Sequence, residues 1–243
     1  MKEEDLEQHR LLVLNHIDSL FSRHEFFLTK IIECSLQLEK KWGTQQDDTS
    51  YLINYYFDAY LNTFQSLKDS LEIALRRNIT WSEFDAIPHS KFIKNSRNAS
   101  THDGFSIINL VADGKFYVSS DITRVYKDKN EYKSIKIITP TEDILTVCVC
   151  FSQGLFLKIK QWFEEHSKSL PQYSIEDYIR SFNPNNIKVG MPEEIKQLIH
   201  DSQDDILKAI KDNKDELVMH KSKKRDDGIQ SILNICNKYI PPI

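Results

Sequence analysis

Arg97 and His102 stand five residues apart in the stretch Asn95-Ser96-Arg97-Asn98-Ala99-Ser100-Thr101-His102-Asp103-Gly104. Arginine keeps its charge near neutral pH and holds a phosphate through a planar fork, whereas histidine gives or takes a proton there. Together they suffice for cleaving RNA. The 2′-hydroxyl is the nucleophile, so a protein need supply only proton transfer and charge stabilisation, and neither a metal nor an organic cofactor is called for. Asn98 adds a polar side chain that is an i,i+4 neighbour of His102 on a helix.

These residues need a scaffold. At 100° per residue, Arg97 and His102 point about 140° apart on an ideal helix. Three arrangements could bring them to one phosphate: the helix loosens before His102, Arg97 reaches round on its long stem, or each meets its opposite across a dimer seam. The segment itself reads as a helix beginning near His89 or Ser90, just after Pro88. It turns Phe92, Ile93 and Ala99 inward and stops at Asp103-Gly104.

Two long helices are expected ahead of it. Val13, Ile17, Leu20, His24, Phe27, Ile31, Cys34 and Leu38 recur at steps of three and four and form one apolar stripe. His24 on that stripe reads as a hydrogen-bonded core residue. After the polar stretch Gly43-Thr44-Gln45-Gln46-Asp47-Asp48, a second helix runs over 50–77 with Leu52, Tyr56, Tyr60, Leu67, Leu71 and Ala74 on one side, antiparallel to the first. The tyrosines at 51, 55, 56 and 60 read chiefly as packing, with base stacking as the other use open to them.

From Phe105 the apolar period becomes two. Strands at 105–111 and 115–119 flank the turn signal Asp113-Gly114, and further strands at 122–126 and 132–138 complete a small antiparallel meander inserted at about 105–138. Thr139-Pro140-Thr141-Glu142 resembles a capping box and predicts a helix start there, leading into a helix to about His166 that is apolar nearly all round and therefore buried. A polar link with Pro171 and Asn183-Pro184-Asn185-Asn186 sets a boundary, which divides the chain into 1–168 and a C-terminal helical extension over 169–243. Short amphipathic helices are expected there at 174–182, 192–211 and 227–240, with a stripe of Ile195, Ile199, Ile206 and Ile210. Lys221-Ser222-Lys223-Lys224-Arg225 falls between them as a loop, and Lys223, Lys224 and Arg225, with Lys94 beside the motif, are the candidate contacts to RNA phosphates.

The pattern Arg97-Asn98-x-x-x-His102 resembles the R-x4-6-H signature of the HEPN superfamily, in which a polar residue commonly follows the arginine. Two long helices, a helix ending in the motif and a late buried helix also follow the order of the HEPN antiparallel bundle, over about Leu6 to His166. The resemblance implies a mainly α fold and a metal-independent endoribonuclease of the toxin or antiviral-defence kind. In it His102 would be the general acid/base, Arg97 the clamp on the pentavalent phosphate, and Asn98 a group that positions the phosphate or holds the other two. It further implies a homodimer whose two motifs line one cleft, and an antitoxin or defence-system partner. Other readings stand beside it. A HEPN-like helical module could bind a nucleotide or protein without catalysis. His102-Asp103 could instead belong to a metal-dependent HD phosphohydrolase, with His89 and Asp121 as further ligands, although strand follows where that fold continues in helix.

The composition narrows the field. Thirty-two basic against 36 acidic residues leave a net charge of −4, so a polyanion must be drawn by a local patch and not by the whole surface. Cys34, Cys148, Cys150 and Cys236 show no zinc-ligand spacing and fit reduced thiols of a cytoplasmic protein. No targeting segment is expected, because the acidic Lys2-Glu3-Glu4-Asp5 start lacks the basic and apolar stretches of a secretory signal, and no membrane span, because the most apolar run, over 144–151, is far short of the roughly 20 residues a bilayer needs.

Overall fold

The computed structural model describes residues 3–43, 50–170 and 192–240, and the chain is mainly helical with two small antiparallel sheets. The helix expected over 174–182, the polar link at 183–186 and the break over 44–48 lie outside the described residues.

Helix α1 spans Glu3–Lys41 and α2 spans Ser50–Leu75. They run antiparallel: Arg10 donates to the carbonyl of Ala74 at 3.0 Å, and farther along His24 meets Thr63. The stripe read from the sequence is the buried face, with Ile17, Ile31, Cys34 and Leu38 on α1 and Tyr60, Leu67, Leu71 and Ala74 on α2 all inside. Each large apolar side chain so buried contributes about 1.5–3 kcal/mol relative to exposure. Of the four tyrosines, Tyr60 is fully buried, Tyr56 packs against the core, and Tyr51 and Tyr55 are exposed.

His24 joins a buried polar chain. Its Nδ1 lies 2.7 Å from Thr63 Oγ1 and its Nε2 lies 2.9 Å from Ser152 Oγ. Thr63 donates its own proton to the Tyr60 carbonyl at 2.7 Å, so Nδ1 must be the donor and Nε2 the acceptor of the Ser152 hydroxyl. The Tyr60 hydroxyl, 2.7 Å from Ser152 Oγ and 3.0 Å from the Cys148 carbonyl, closes the network. Burial holds the imidazole neutral and lowers its pKa to about 3.

A 3-10 turn at Trp81–Phe84 follows α2, held by Thr80 N–H donating to Glu83 Oε1 at 2.9 Å and by the Arg77–Glu83 ion pair. The chain then crosses α4 (Ile144–Glu165) at Gly154, where a Cβ would stand 2.8 Å from Ile87 Cγ2; only glycine lets the Ile87–Pro88 segment lie this close. Helix α3, Ser90–Asp103, begins at once behind it.

The inserted strands form two separate hairpins instead of one meander. Strand β1 (Leu110–Ala112) pairs with β2 (Lys115–Tyr117), and β3 (Ile122–Asp128) pairs with β4 (Glu131–Ile137), in registers Leu110↔Tyr117 and Ile122↔Ile137. The Asn109 side chain accepts the Ser119 N–H at 2.8 Å, a bond a neighbouring strand would otherwise take. Asp113 and Gly114 both have positive φ, as a two-residue hairpin turn requires, and Gly114 lies against Glu39 and Trp42 at the end of α1. Ile107, Ile108, Phe116, Val118 and Ile137 enter the bundle's core, and Asn54 of α2 bonds both the N–H and the carbonyl of Ile108, at 3.0 and 2.8 Å.

The capping box expected at Thr139 does not start α4. Thr139 N–H is held by Asp121 at 2.8 Å, and Asp143 is the N-cap, accepting the Thr146 N–H at 3.1 Å. Helix α4 is long and apolar enough to cross a bilayer by composition, but it is the core helix, with Phe151, Phe156, Ile159 and Trp162 enclosed. Cys148 and Cys236 are buried and Cys150 is half-buried; burial pushes all three thiols up, Cys236 to about 12.

Helices α5 (Glu193–Asp201), α6 (Gln203–Asp212) and α7 (Lys214–Tyr239) follow. Residues 221–225 lie inside α7 and not in a loop, a correction that follows from good helix formers at every one of those positions except Ser222. The second half of α7 packs on α1 and α4, and its Ile229, Ile232, Leu233 and Cys236 share the core formed by the helices before residue 168. Of the isoleucine stripe, the described side chain is Ile195, which is exposed.

Candidate functional site

Helix α3 positions the motif. Its apolar residues Phe92, Ile93 and Ala99, with Ser96, are buried against α2 and the second hairpin, which fixes how the helix is rotated. Gly104, at φ 70°, ends it, and the N–H groups of Gly104 and Phe105 bond the carbonyls of Ser100 and Ala99. The helix is regular through Asp103, so it does not loosen before His102, and the divergence of about 140° between Arg97 and His102 stands.

Arg97 is half-buried. Its Nη1 donates to Asn98 Oδ1 at 3.2 Å, while its Nε is buried and, among the described residues, has no hydrogen-bond partner. Arg10, Arg76, Arg77 and Arg124 each pair with a carboxylate, and Arg97, among the described residues, pairs with none. The guanidinium is thus held by one neutral contact, with charge left to compensate. His102 is exposed on the last turn of α3.

The surroundings supply groups the sequence reading missed. Asp103, next to His102, is gripped by Arg124 of β3, with Nε 2.5 Å from Oδ2; Arg124 also lies over the Tyr126 ring at 5.2 Å. Asp58 of α2 faces α3 through Ser100, whose hydrogen bond lowers its pKa, although burial outweighs it and leaves the carboxyl above its usual range. Thr101 donates to Asn62 at 3.3 Å. Periodicity could not reveal the contacts Asp103–Arg124, Asp58–Ser100 and Thr101–Asn62, because each joins residues more than 20 positions apart.

The four cations expected to meet RNA do not form one patch. Lys94 lies on α3 with its ammonium 4.6 Å from the Trp81 ring centroid. Lys223, Lys224 and Arg225 lie on α7: Lys223 is exposed, Lys224 pairs with Asp18 at 2.5 Å, and Arg225 covers the Phe163 ring at 4.5 Å and contacts Asp226. Two of the three thus serve the docking of α7 onto α1 and α4.

No family model, curated protein or solved structure matches the chain. The site therefore has to be read from its own chemistry. For the metal-dependent alternative, Asp103 is engaged by Arg124, and Asp121 pairs with Lys136 at 2.9 Å. Among the described residues, no group of three or more His, Cys, Asp or Glu side chains is placed to hold an ion.

Proposed function

We propose that the protein is a metal-independent endoribonuclease of HEPN type, in which Arg97 clamps the scissile phosphate, His102 transfers the proton and Asn98 orients Arg97. One observation carries the reading: among the described residues, the half-buried Arg97 guanidinium has no carboxylate partner and an unpaired Nε, and its hydrogen bond goes to Asn98. An arginine in that state favours an incoming anion. The 2′-hydroxyl attacks phosphorus, its proton passing to a neutral imidazole, and the 5′-oxygen leaves with a proton from an imidazolium. Arg97 stabilises the added charge on the phosphorane oxygens.

Because α3 turns Arg97 and His102 to different sides, the reading includes a homodimer in which one subunit's Arg97 faces the other's His102. The same divergence favours, as a second reading, a HEPN-like module that binds a nucleotide or a protein without catalysis. A toxin or antiviral-defence role with a restraining partner accompanies the nuclease reading.

End-group analysis of cleaved RNA tests the chemistry. The expected products carry 2′,3′-cyclic phosphate or its hydrolysed form and a 5′-hydroxyl. Products with 5′-phosphate would contradict it, because attack by the 2′-oxygen cannot leave phosphate on that side.

A further inference from the structure

A cavity of about 210 Å³ opens beside α3, between the 3-10 turn that carries Trp81 and the first turns of the helix, N-terminal to Arg97 and His102. It is smaller than the roughly 300–1,000 Å³ of drug-sized sites, a volume that suits one planar ring system better than a whole cofactor. Its lining combines an indole, two lysines and an amide: Trp81, Lys91, Lys94 and Asn95. Phe84 and Ile135 make the apolar walls, and Asp85 and Ser90 add one acceptor carboxylate and one hydroxyl.

Trp81 is fixed in place. Phe64 meets it edge-on at 5.5 Å, and the Thr80–Glu83 bond and the Arg77–Glu83 pair hold its turn. Two ammonium groups already lie against the ring, Lys94 at 4.6 Å and Lys68 at 5.4 Å from its centroid. They differ in what else they do. Lys68 is buried and bonded to Glu72 at 2.8 Å, whereas Lys94 lies on the ring and, among the described residues, pairs with no carboxylate. Lys94 can therefore swing on its flexible stem from the indole to a phosphate, leaving the ring surface to a base.

Helix geometry links this cavity to the motif. Lys91, Asn95, Asn98 and His102 are separated by four, three and four residues, which places them on one stripe about 60° wide along α3. Lys94 and His102 are about 12 Å apart along the axis. A single strand laid along that stripe passes from an aromatic, cationic pocket over two amides to the imidazole.

We infer that the Trp81 cavity is a base-binding subsite for single-stranded RNA. Trp81 stacks on one base, Lys91 and Lys94 hold the adjoining phosphates, and Asp85 and Asn95 face the base edge. The direction of the strand toward His102 rests on the ribonuclease reading; the cavity and its ligand class do not.

The probe is a 5′-fluorescein-labelled 2′-O-methyl decaribonucleotide of mixed sequence, which cannot be cleaved because its 2′-oxygen is blocked. Binding is followed by anisotropy across a salt series, and indole emission is followed with the unlabelled oligonucleotide in a Trp42→Phe background. Lys91→Ala with Lys94→Ala should raise Kd at least tenfold and reduce the salt slope by about 1.4, as expected for two lost phosphate contacts to a single strand. Bound oligonucleotide should quench emission, and Trp81→Leu should remove the quenching. An affinity within twofold of wild type in the double-lysine variant overturns the subsite, as does undiminished emission or no binding by the wild type. Cleavage of unmodified RNA, measured in parallel, separates the two claims. Lysine-dependent binding without cleavage leaves the subsite and removes the nuclease, whereas cleavage with lysine-independent binding does the reverse.

Discussion

Arg124 grips Asp103 at two points, Nε to Oδ2 at 2.5 Å and Nη2 to Oδ1 at 3.3 Å, and so ties β3 to the last residue of α3. A carboxylate at a helix C-terminus opposes the helix dipole, and the guanidinium reverses that penalty. The second hairpin thus buttresses the turn that presents His102.

Removing that brace should be measurable. The two side chains are only 12% and 24% exposed, so Arg124→Ala should cost about 1–2 kcal/mol in urea unfolding. A double-mutant cycle with Asp103→Ala should return a coupling near 1 kcal/mol. Zero coupling would show that the hairpin is docked by Ile137 and its apolar neighbours alone.

Acid sensitivity follows from His24. Its pKa is about 3 in the fold and 6.5 in the unfolded chain, so the unfolded state binds the extra proton. Stability is full above pH 6.5 and falls as the pH drops from there toward 3. Between pH 7 and pH 5 the loss from this group is about 2 kcal/mol. His24→Gln, which keeps hydrogen-bonding capacity but cannot titrate, should flatten the urea midpoint over that range. A variant as acid-sensitive as the wild type would place the effect elsewhere.

Much of the scaffold was legible because it is written in local periodicity. The stripes of α1 and α2, the inward Phe92, Ile93 and Ala99, the Asp113-Gly114 turn and the Gly104 stop each depend on neighbours within a few residues. The polar partners of His24 were not legible, because Thr63 and Ser152 come from α2 and α4. Asp143 displaced the apparent capping box because Thr139 is bound by distant Asp121, and the run at 221–225 reads as loop only if its charges are counted and its helix propensity is not. At the candidate site, Arg97, Asn98 and His102 stand out in the sequence, whereas the unpaired Nε of Arg97, the Arg124 brace and the Trp81 cavity arise only when distant segments fold together.

The proposed composite site is open to a test by subunit mixing. If Arg97 and His102 act across a dimer, mixing inactive Arg97→Ala with inactive His102→Ala should regenerate one complete site in each mixed dimer. Random exchange then restores roughly a quarter of wild-type activity. No recovery after verified subunit exchange, or full activity in a monomer shown by sedimentation, would locate both residues of each site in one chain.

The central claim is tested most directly by incubating purified protein with single-stranded RNA in excess EDTA and comparing the wild type with Arg97→Ala and His102→Ala. The wild type should cut, and each substitution should lower the rate at least about a hundredfold, in line with the roughly 10²–10⁴ that a positioned proton-transfer group contributes for His102 and the roughly 10²–10³ that one donor to the developing charge contributes for Arg97. Equal cleavage by all three proteins, or cleavage that EDTA abolishes, would contradict it.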